Sequence, residues 1–366
     1  MSLPERVLVQ GNEAIGRGAI NAGCRHFFGY PITPQNEITE FFARELPAAG
    51  GVFVQSESEA ASAAMLYGAG AAGVRAITST SGAGWGLMQE GISQLANAEL
   101  PCVIVNMQRG GPGQGTTRHA QMDYLSATRG GGQGGYKTIV LAPASVQECH
   151  DLVQLAFHLA DRYRNPVVVL GDGILGQMAE PLEIRTIQFD TLPEKDWTIR
   201  GFSEREASQH NFISCGQGGV IPLPPYTSYA AFLQRLDEKY RQMTAAEVRY
   251  QSYRGEDSHL LLVAYGSTAR VCQEAVDMAR DEGISASLLR PITLWPFPSE
   301  IIRQRAAAGT SLLVVEDSLG QMLDDVRCAA EGRAPVHFLG ILARHLPTDG
   351  GMILPDRVLE EIKKVS

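Results

Sequence analysis

Residues 51–82, GVFVQSESEAASAAMLYGAGAAGVRAITSTSG, contain one strand–helix–strand unit. A short apolar run at 52–55 ends in the polar turn Ser56-Glu57-Ser58, a helix of small residues follows over 59–71, and a second strand lies at 75–78. Strands alternating with helices of this length make βαβ units and a parallel sheet. The same rhythm extends both ways. Upstream it predicts a strand at 7–10, a helix over 13–22 closed by Gly23, a strand at 27–29 and a helix over 34–46. Downstream come a buried strand at 102–106, a helix over 146–160 and a strand at 166–170.

Between 181 and 257 the rhythm breaks. This stretch is polar and irregular, with PLPP at 222–225 and many charges around 235–241, and it reads as a long connection of the kind that is often functional. The rhythm resumes with strands at 260–264, 285–289, 311–316 and 336–339 and helices over 269–281, 299–307 and 319–330. The expected fold is therefore α/β, with a parallel-sheet domain over 1–180, an irregular connection over 181–257 and a smaller α/β domain over 258–366.

Composition narrows the function classes. A net charge of −9 argues against a nucleic-acid binder, which needs clustered Lys and Arg. Cys24, Cys102, Cys149, Cys215, Cys272 and Cys328 include no closely spaced pair, so no zinc or iron–sulfur site is expected on this chain. Scattered single cysteines fit a reducing cytoplasm. The start, MSLPERVLVQ, lacks the basic and apolar regions of a signal peptide, and no apolar run is long enough to span a membrane.

Four strand-end motifs carry candidate chemistry. Tyr30-Pro31-Ile32-Thr33-Pro34 leads into a helix, with Thr33 suited to cap it and Pro34 to its first position. Such a terminus suits a carboxylate, the alternative being an ordinary cap. In Ser56-Glu57-Ser58-Glu59, Glu57 fits a first helical turn. Glu59 lies two residues deeper, where burying a carboxylate requires a partner, unless it is simply solvated. Thr78-Ser79-Thr80-Ser81-Gly82-Ala83-Gly84 is a third turn, after a strand and before a helix, which touches a ligand or only caps. In Gln108-Arg109-Gly110-Gly111-Pro112, glycines let backbone approach a ligand and Arg109 offers a planar fork for a carboxylate, a surface Arg on a structural turn being the alternative. His119, His150 and His158 have no ligand-spaced partners and read as structural.

In that order and at even intervals, these motifs resemble the alpha subunit of 2-oxoacid:ferredoxin oxidoreductases. The likeness runs along nearly the whole chain. Leu289-Arg290-Pro291-Ile292-Thr293-Leu294-Trp295-Pro296 and Val315-Glu316-Asp317-Ser318-Leu319-Gly320 resemble the family's transketolase-C-like domain, which follows its thiamine-diphosphate (pyrimidine-type) domain. Lys137-Thr138-Ile139-Val140-Leu141 is most similar to 2-oxoisovalerate members.

The resemblance implies a role for each residue. Glu59 hydrogen-bonds N1′ of the thiamine aminopyrimidine, favouring the tautomer whose 4′-nitrogen removes the thiazolium C2 proton. Arg109 pairs with the 2-oxoacid carboxylate and Thr33 binds the substrate near it, with Ile32 a further substrate contact, while Tyr30, Pro31 and Ser81 contact the cofactor. Carbon dioxide leaves, electrons pass to iron–sulfur clusters and on to ferredoxin, and coenzyme A takes the acyl group. Gly171-Asp172-Gly173 resembles the start of a magnesium–diphosphate motif, but no Asn pair follows and the nearest Asn, Asn211, is too distant. Mg2+ and the [4Fe-4S] clusters are thus expected on partners: a beta subunit, with a separate gamma subunit and a ferredoxin-like one besides. A gamma-type domain, fused ahead of this region in some relatives, is not expected here. The favoured substrate is 2-oxoisovalerate. The alternative is 2-oxoglutarate, whose second carboxylate needs a further cation, Arg118 or Lys137 being candidates. Two other readings are a self-sufficient transketolase-like enzyme, disfavoured by the missing magnesium motif, and a non-catalytic scaffold, disfavoured by Thr33, Glu59 and Arg109 occurring together.

Overall fold

The structure, a computed structural model, describes residues 6–199, 228–255, 257–345 and 351–366. The PLPP run at 222–225, Asn211 and Cys215 lie outside the described residues.

The chain opens with β1 (Arg6–Gln10), α1 (Gly11–Asn21), β2 (His26–Gly29), α2 (Asn36–Glu45), β3 (Val52–Gln55), α3 (Glu59–Ala71), β4 (Ala76–Thr80), α4 (Gly82–Asn97) and β5 (Cys102–Gln108). It continues through α5 (Tyr124–Arg129), β6 (Ile139–Leu141), α6 (Val146–Tyr163), β7 (Pro166–Asp172), α7 (Gly173–Gln177) and β8 (Ala179–Glu183). After the undescribed stretch come α8 (Tyr229–Ala246), β9 (Tyr250–Tyr253), β10 (Leu260–Val263), α9 (Gly266–Asp281), β11 (Ala286–Pro291) and β12 (Thr293–Trp295). The last elements are α10 (Ser299–Ala307), β13 (Ser311–Val315), α11 (Met322–Ala330), β14 (Val336–Leu339) and α12 (Pro355–Val365).

Seven strands form the main sheet in the order β12-β6-β7-β5-β4-β2-β3, parallel except for β12, which runs antiparallel to β6. Central β5 and β7 are buried along their whole length, as expected of strands covered on both faces. Their side chains alternate between two layers. Val103, Val105 and Met107 pack with residues of α1, α2 and α6, whereas Cys102 and Ile104 pack with residues of α3 and α4. The second layer is continuous with Leu261, Val263, Leu289 and Val314 of the second sheet, ordered β14-β13-β10-β11-β9. The two α/β units thus share a core, and Thr293-Leu294-Trp295 of the later segment closes an edge of the first sheet.

The stretch read as an irregular connection holds order at both ends. β8 pairs antiparallel with β1, β9 joins the second sheet, and α8 is an 18-residue helix. Its buried residues, Phe232, Leu236, Lys239 and Met243, follow helical spacing, but the charges between them mask that period in the sequence. Lys239 is buried because its ammonium meets Glu99 at 3.0 Å. The helix expected after the turn at 78–84 is α4, which begins at Gly82. The short α5 and the last helix, α12, went unread; α12 packs Val358, Leu359 and Ile362 against the core around α9.

Candidate active site

The four motifs leave the carboxyl ends of four neighbouring parallel strands. In the order β3-β2-β4-β5, these strands lead into Glu59, the Tyr30–Pro34 loop, Ser81 and Arg109. The carboxyl edge is where open α/β sheets bind ligands.

The loop at 30–34 is not the helix start that Thr33 and Pro34 suggested. α2 begins at Asn36 with Gln35 at its N-cap, and the Thr33-Pro34 peptide is cis. Side chains from elsewhere take the loop's carbonyls: Gln35 donates to Tyr30, Arg109 to Thr33 at 3.0 Å and Asn12 to Pro34 at 2.8 Å. Asn12 and Arg109 are distant in sequence, so a cap motif alone did not reveal them. Among the described residues the Thr33 hydroxyl meets only Asn36, at 3.5 Å. Tyr30 and Pro31 are exposed and Ile32 is half-buried.

Glu59 is the first residue of α3, not one deeper, and exposed Glu57 lies before the helix, because Ser58 caps Ala61 N at 3.2 Å. Glu59 is nevertheless only 4% exposed. Small residues bring α3 and α4 together: a Cβ on Gly91 would strike Ala63, and one on Gly84 would strike Glu59 Oε1 and Thr80 Oγ1. The carboxylate therefore rests against the first turn of α4, its electropositive end, with no hydrogen-bond partner among the described residues.

Arg109 is 6% exposed. Its fork is not wholly free, as the sequence suggested: Nη1 donates to Thr33 O at 3.0 Å and Nη2 to Gln114 O at 3.1 Å. Nε is buried and unpaired. It faces Gly82, where a Cβ would lie 2.5 Å away and where φ of +48° also favours glycine. Ser81 occupies the N-cap of α4, yet its hydroxyl makes no cap bond and is buried without a partner. An unpaired guanidinium edge, an unpaired hydroxyl and a helix N-terminus thus converge around Gly82, as an anion requires.

Sequence reading missed Asp123. It accepts from Asn106 Nδ2 at 3.0 Å, and burial pushes its carboxyl up to about 6, against the opposing pull of Asn106 and Arg109. Asn106 pairs in register with Thr80, so this carboxyl lies on the Glu59 side of the sheet. Only the folded register brings these residues together.

Two family models divide the chain. Residues 17–253 match the pyruvate flavodoxin/ferredoxin oxidoreductase thiamine-diphosphate-binding domain, and 258–348 match core domain II of pyruvate:ferredoxin oxidoreductase. The chain belongs to the pyruvate flavodoxin/ferredoxin oxidoreductase family. Among this family's curated members, ketoisovalerate oxidoreductase subunit VorB of Methanothermobacter marburgensis is 48% identical over 88% of this chain and 89% of its own length. The 2-oxoglutarate synthase subunit KorA of Methanothermobacter thermautotrophicus is 38% identical over the full length of both. The solved 2-oxoglutarate:ferredoxin oxidoreductase of Magnetococcus marinus, with 2-oxoglutarate, coenzyme A and succinyl-CoA bound, matches with a TM-score of 0.83 and 26% identity. That match covers 99% of this chain and 65% of the Magnetococcus chain. A split-gene transketolase, at 16% identity and a TM-score of 0.59, shares the fold.

For an oxidoreductase of this family, the donor set fits the expected cofactor. Buried Glu59 has an unfilled carboxylate for a ring nitrogen, Ser81 has an unfilled hydroxyl on the same sheet edge, and Arg109 has an unfilled donor for the substrate carboxylate. Asp172, in the Gly-Asp-Gly sequence, is committed elsewhere. It caps α7 through Leu175 N at 3.1 Å and accepts from Ser267 Oγ of the second α/β unit at 2.7 Å. The turn read there is thus a helix cap and an inter-unit clasp. His119 is half-buried, and burial lowers its pKa against the opposing pull of Asp317, 3.5 Å away. Among the described residues no cluster of three or more His, Cys, Asp or Glu is placed to hold a metal, and no helix is long and apolar enough to cross a membrane.

Proposed function

We propose that this chain is the alpha subunit of a 2-oxoacid:ferredoxin oxidoreductase that converts 2-oxoisovalerate, coenzyme A and oxidised ferredoxin to acyl-CoA, carbon dioxide and reduced ferredoxin. The observation that carries this reading is the buried, unpartnered Glu59 carboxylate on the same sheet edge as the unfilled Nε of Arg109. When bound, thiamine diphosphate supplies a nucleophilic carbon and an electron sink. Glu59 holds a proton shared with N1′ of the aminopyrimidine. Tyr30, Pro31 and Ser81 border that ring, and Gly84 leaves room for the Glu59 carboxylate. Arg109, fixed by two carbonyls, presents Nε to the substrate carboxylate, with the Thr33 hydroxyl and Ile32 beside it.

Saturation of Asp172 by protein donors supports placing the Mg2+–diphosphate site on a beta subunit, which would also carry the [4Fe-4S] cluster. A gamma subunit and ferredoxin or a ferredoxin-like subunit complete the assembly, in the cytoplasm.

The higher identity to ketoisovalerate relatives, 48% and 45% against 38%, supports 2-oxoisovalerate. Of the two cations considered for a second carboxylate, Lys137 precedes β6 at the amino end of the parallel sheet, beside Asn165, and is remote from this edge. Exposed Arg118, on the loop after Arg109, is the remaining feature that favours 2-oxoglutarate. The test is a panel of 2-oxoacids given to the purified complex with coenzyme A and a low-potential electron acceptor. A kcat/KM for 2-oxoisovalerate at least about tenfold above that for 2-oxoglutarate is expected, the scale of discrimination one differing side-chain group gives. The reverse order would move the assignment to 2-oxoglutarate, and no 2-oxoacid-dependent electron release would refute the function.

A further inference from the structure

The segment that carries Arg109 is anchored from the second α/β unit. Arg109 and His119 form an antiparallel bridge that closes the loop between them, and within it Gly110 N donates to Arg118 O at 2.9 Å. The loop's interior is exposed and includes Gly113 and Gly115 at positive φ, so its own packing does little to hold it. Its return limb is held from outside. Arg344 Nη2 donates to the carbonyl of His119 at 2.7 Å, while Nε reaches Asp317 Oδ1 at 2.6 Å and Nη2 also contacts Asp317 Oδ2. Both side chains of this pair are nearly buried, at 8% and 5% residue exposure.

Asp317 is in turn locked to the same limb. Its carbonyl accepts from Gln121 N at 2.8 Å, and its N–H donates to Gln121 Oε1 at 2.9 Å. The other end of Gln121 donates to Tyr265 O. His119 and Pro34 flank Gly173, where a Cβ would come within 3.3 and 3.1 Å of them. His119, which the pair holds, and Pro34, next to the Thr33 carbonyl that Arg109 holds, thus lie against the same glycine.

We infer that Arg344 and Asp317 are positioning residues: their buried pair sets the register of the 109–119 bridge and thereby aims the Arg109 guanidinium at the substrate carboxylate. This rests on the reading of Arg109 as the carboxylate-binding residue. A fork fixed by two backbone carbonyls has its aim set by where those carbonyls lie. Gln114 O belongs to the loop itself and Thr33 O to the neighbouring one, so a shift of the His119 limb displaces the fork's seat. Glu59 follows β3, three strands beyond the Arg109 strand, and makes no hydrogen bond to Arg344, Asp317 or the 109–119 bridge, so cofactor activation should change far less than substrate binding.

The experiment uses the assembled complex and five variants, one of which combines Arg344→Lys with Arg109→Ala. Arg344→Lys keeps a charge for Asp317 but loses the fork and the His119 contact. The paired change Asp317→Asn with Arg344→Gln removes both charges together and leaves no buried charge unpaired, in case Arg344→Lys fails to assemble. Glu148→Gln breaks a comparable inter-unit pair, Arg290–Glu148 at 2.7 Å, away from the loop. Arg109→Ala reports on the underlying reading.

Arg344→Lys should raise the KM for the 2-oxoacid about tenfold or more, since small misplacements of a binding group have effects of that size. C2-proton exchange of bound thiamine diphosphate should change less than about twofold. Glu148→Gln should lower thermal stability without changing KM. In an Arg109→Ala background, Arg344→Lys should add nothing further to KM. An unchanged KM in a folded Arg344→Lys or paired-variant complex, equal losses of exchange and substrate use, or additivity with Arg109→Ala would overturn the inference. If Arg109→Ala itself leaves KM unchanged, the functional reading of Arg109 fails instead.

Discussion

Glu59→Gln in the assembled complex is expected to slow C2-proton exchange of thiamine diphosphate by about 10²–10⁴, the usual span for a lost general acid–base group. The substitution is nearly isosteric, so it should fit the space left by Gly84 and Thr80 and leave assembly intact. What it removes is a group that can hold and release a proton at a site with no competing partner. Exchange followed by proton NMR after rapid quenching reads this step apart from decarboxylation and electron transfer. Exchange at the wild-type rate would remove Glu59 from the mechanism.

Arg109→Ala should act on substrate rather than cofactor. A hydrogen bond to a charged group contributes about 1.5–3 kcal/mol, which corresponds to roughly a ten- to hundredfold loss in kcat/KM. The loss should fall at the upper end, because Arg109 also ties Thr33 O to Gln114 O and its removal frees both loops. Cofactor content should be preserved. Arg109→Lys should recover part of the loss, since one ammonium cannot hold two carbonyls and a carboxylate in a plane. If the Thr33 hydroxyl reaches the same carboxylate, Thr33→Ala and Arg109→Ala together should cost less than the sum of the single changes. Of Thr33, Arg109 touches the carbonyl, which alanine retains, so this cycle reports on the hydroxyl. Strict additivity would leave Thr33 with a backbone role alone.

The parallel sheet was legible because buried strands such as Cys102–Gln108 and Pro166–Asp172 are short apolar runs bounded by turn residues. The site edge was legible for the same reason: each motif begins where such a run ends. What could not be read was set by tertiary partners. Nothing near Thr33 in sequence predicts that Asn12 and Arg109 take the loop's carbonyls and delay the helix to Asn36. α8 was hidden because Lys239 sits on its apolar face, a placement that makes sense only once Glu99 lies opposite. Gly84 looked like turn punctuation, whereas its role is to let the Glu59 carboxylate lie against α4. Asp123 carried no sequence signal, since its environment is built by Asn106, which is distant along the chain.

The central claim is that this chain supplies one half of a thiamine site, holding the acid–base carboxylate and the substrate-binding arginine but not the diphosphate anchor. Its most direct test is C2-proton exchange of magnesium–thiamine diphosphate, measured with the purified chain alone and again after addition of the partner subunit. The account predicts exchange at the rate of free cofactor for the chain alone and much faster exchange, dependent on Glu59, once the partner is present. Accelerated exchange by the chain alone, at stoichiometric magnesium and cofactor, would contradict it.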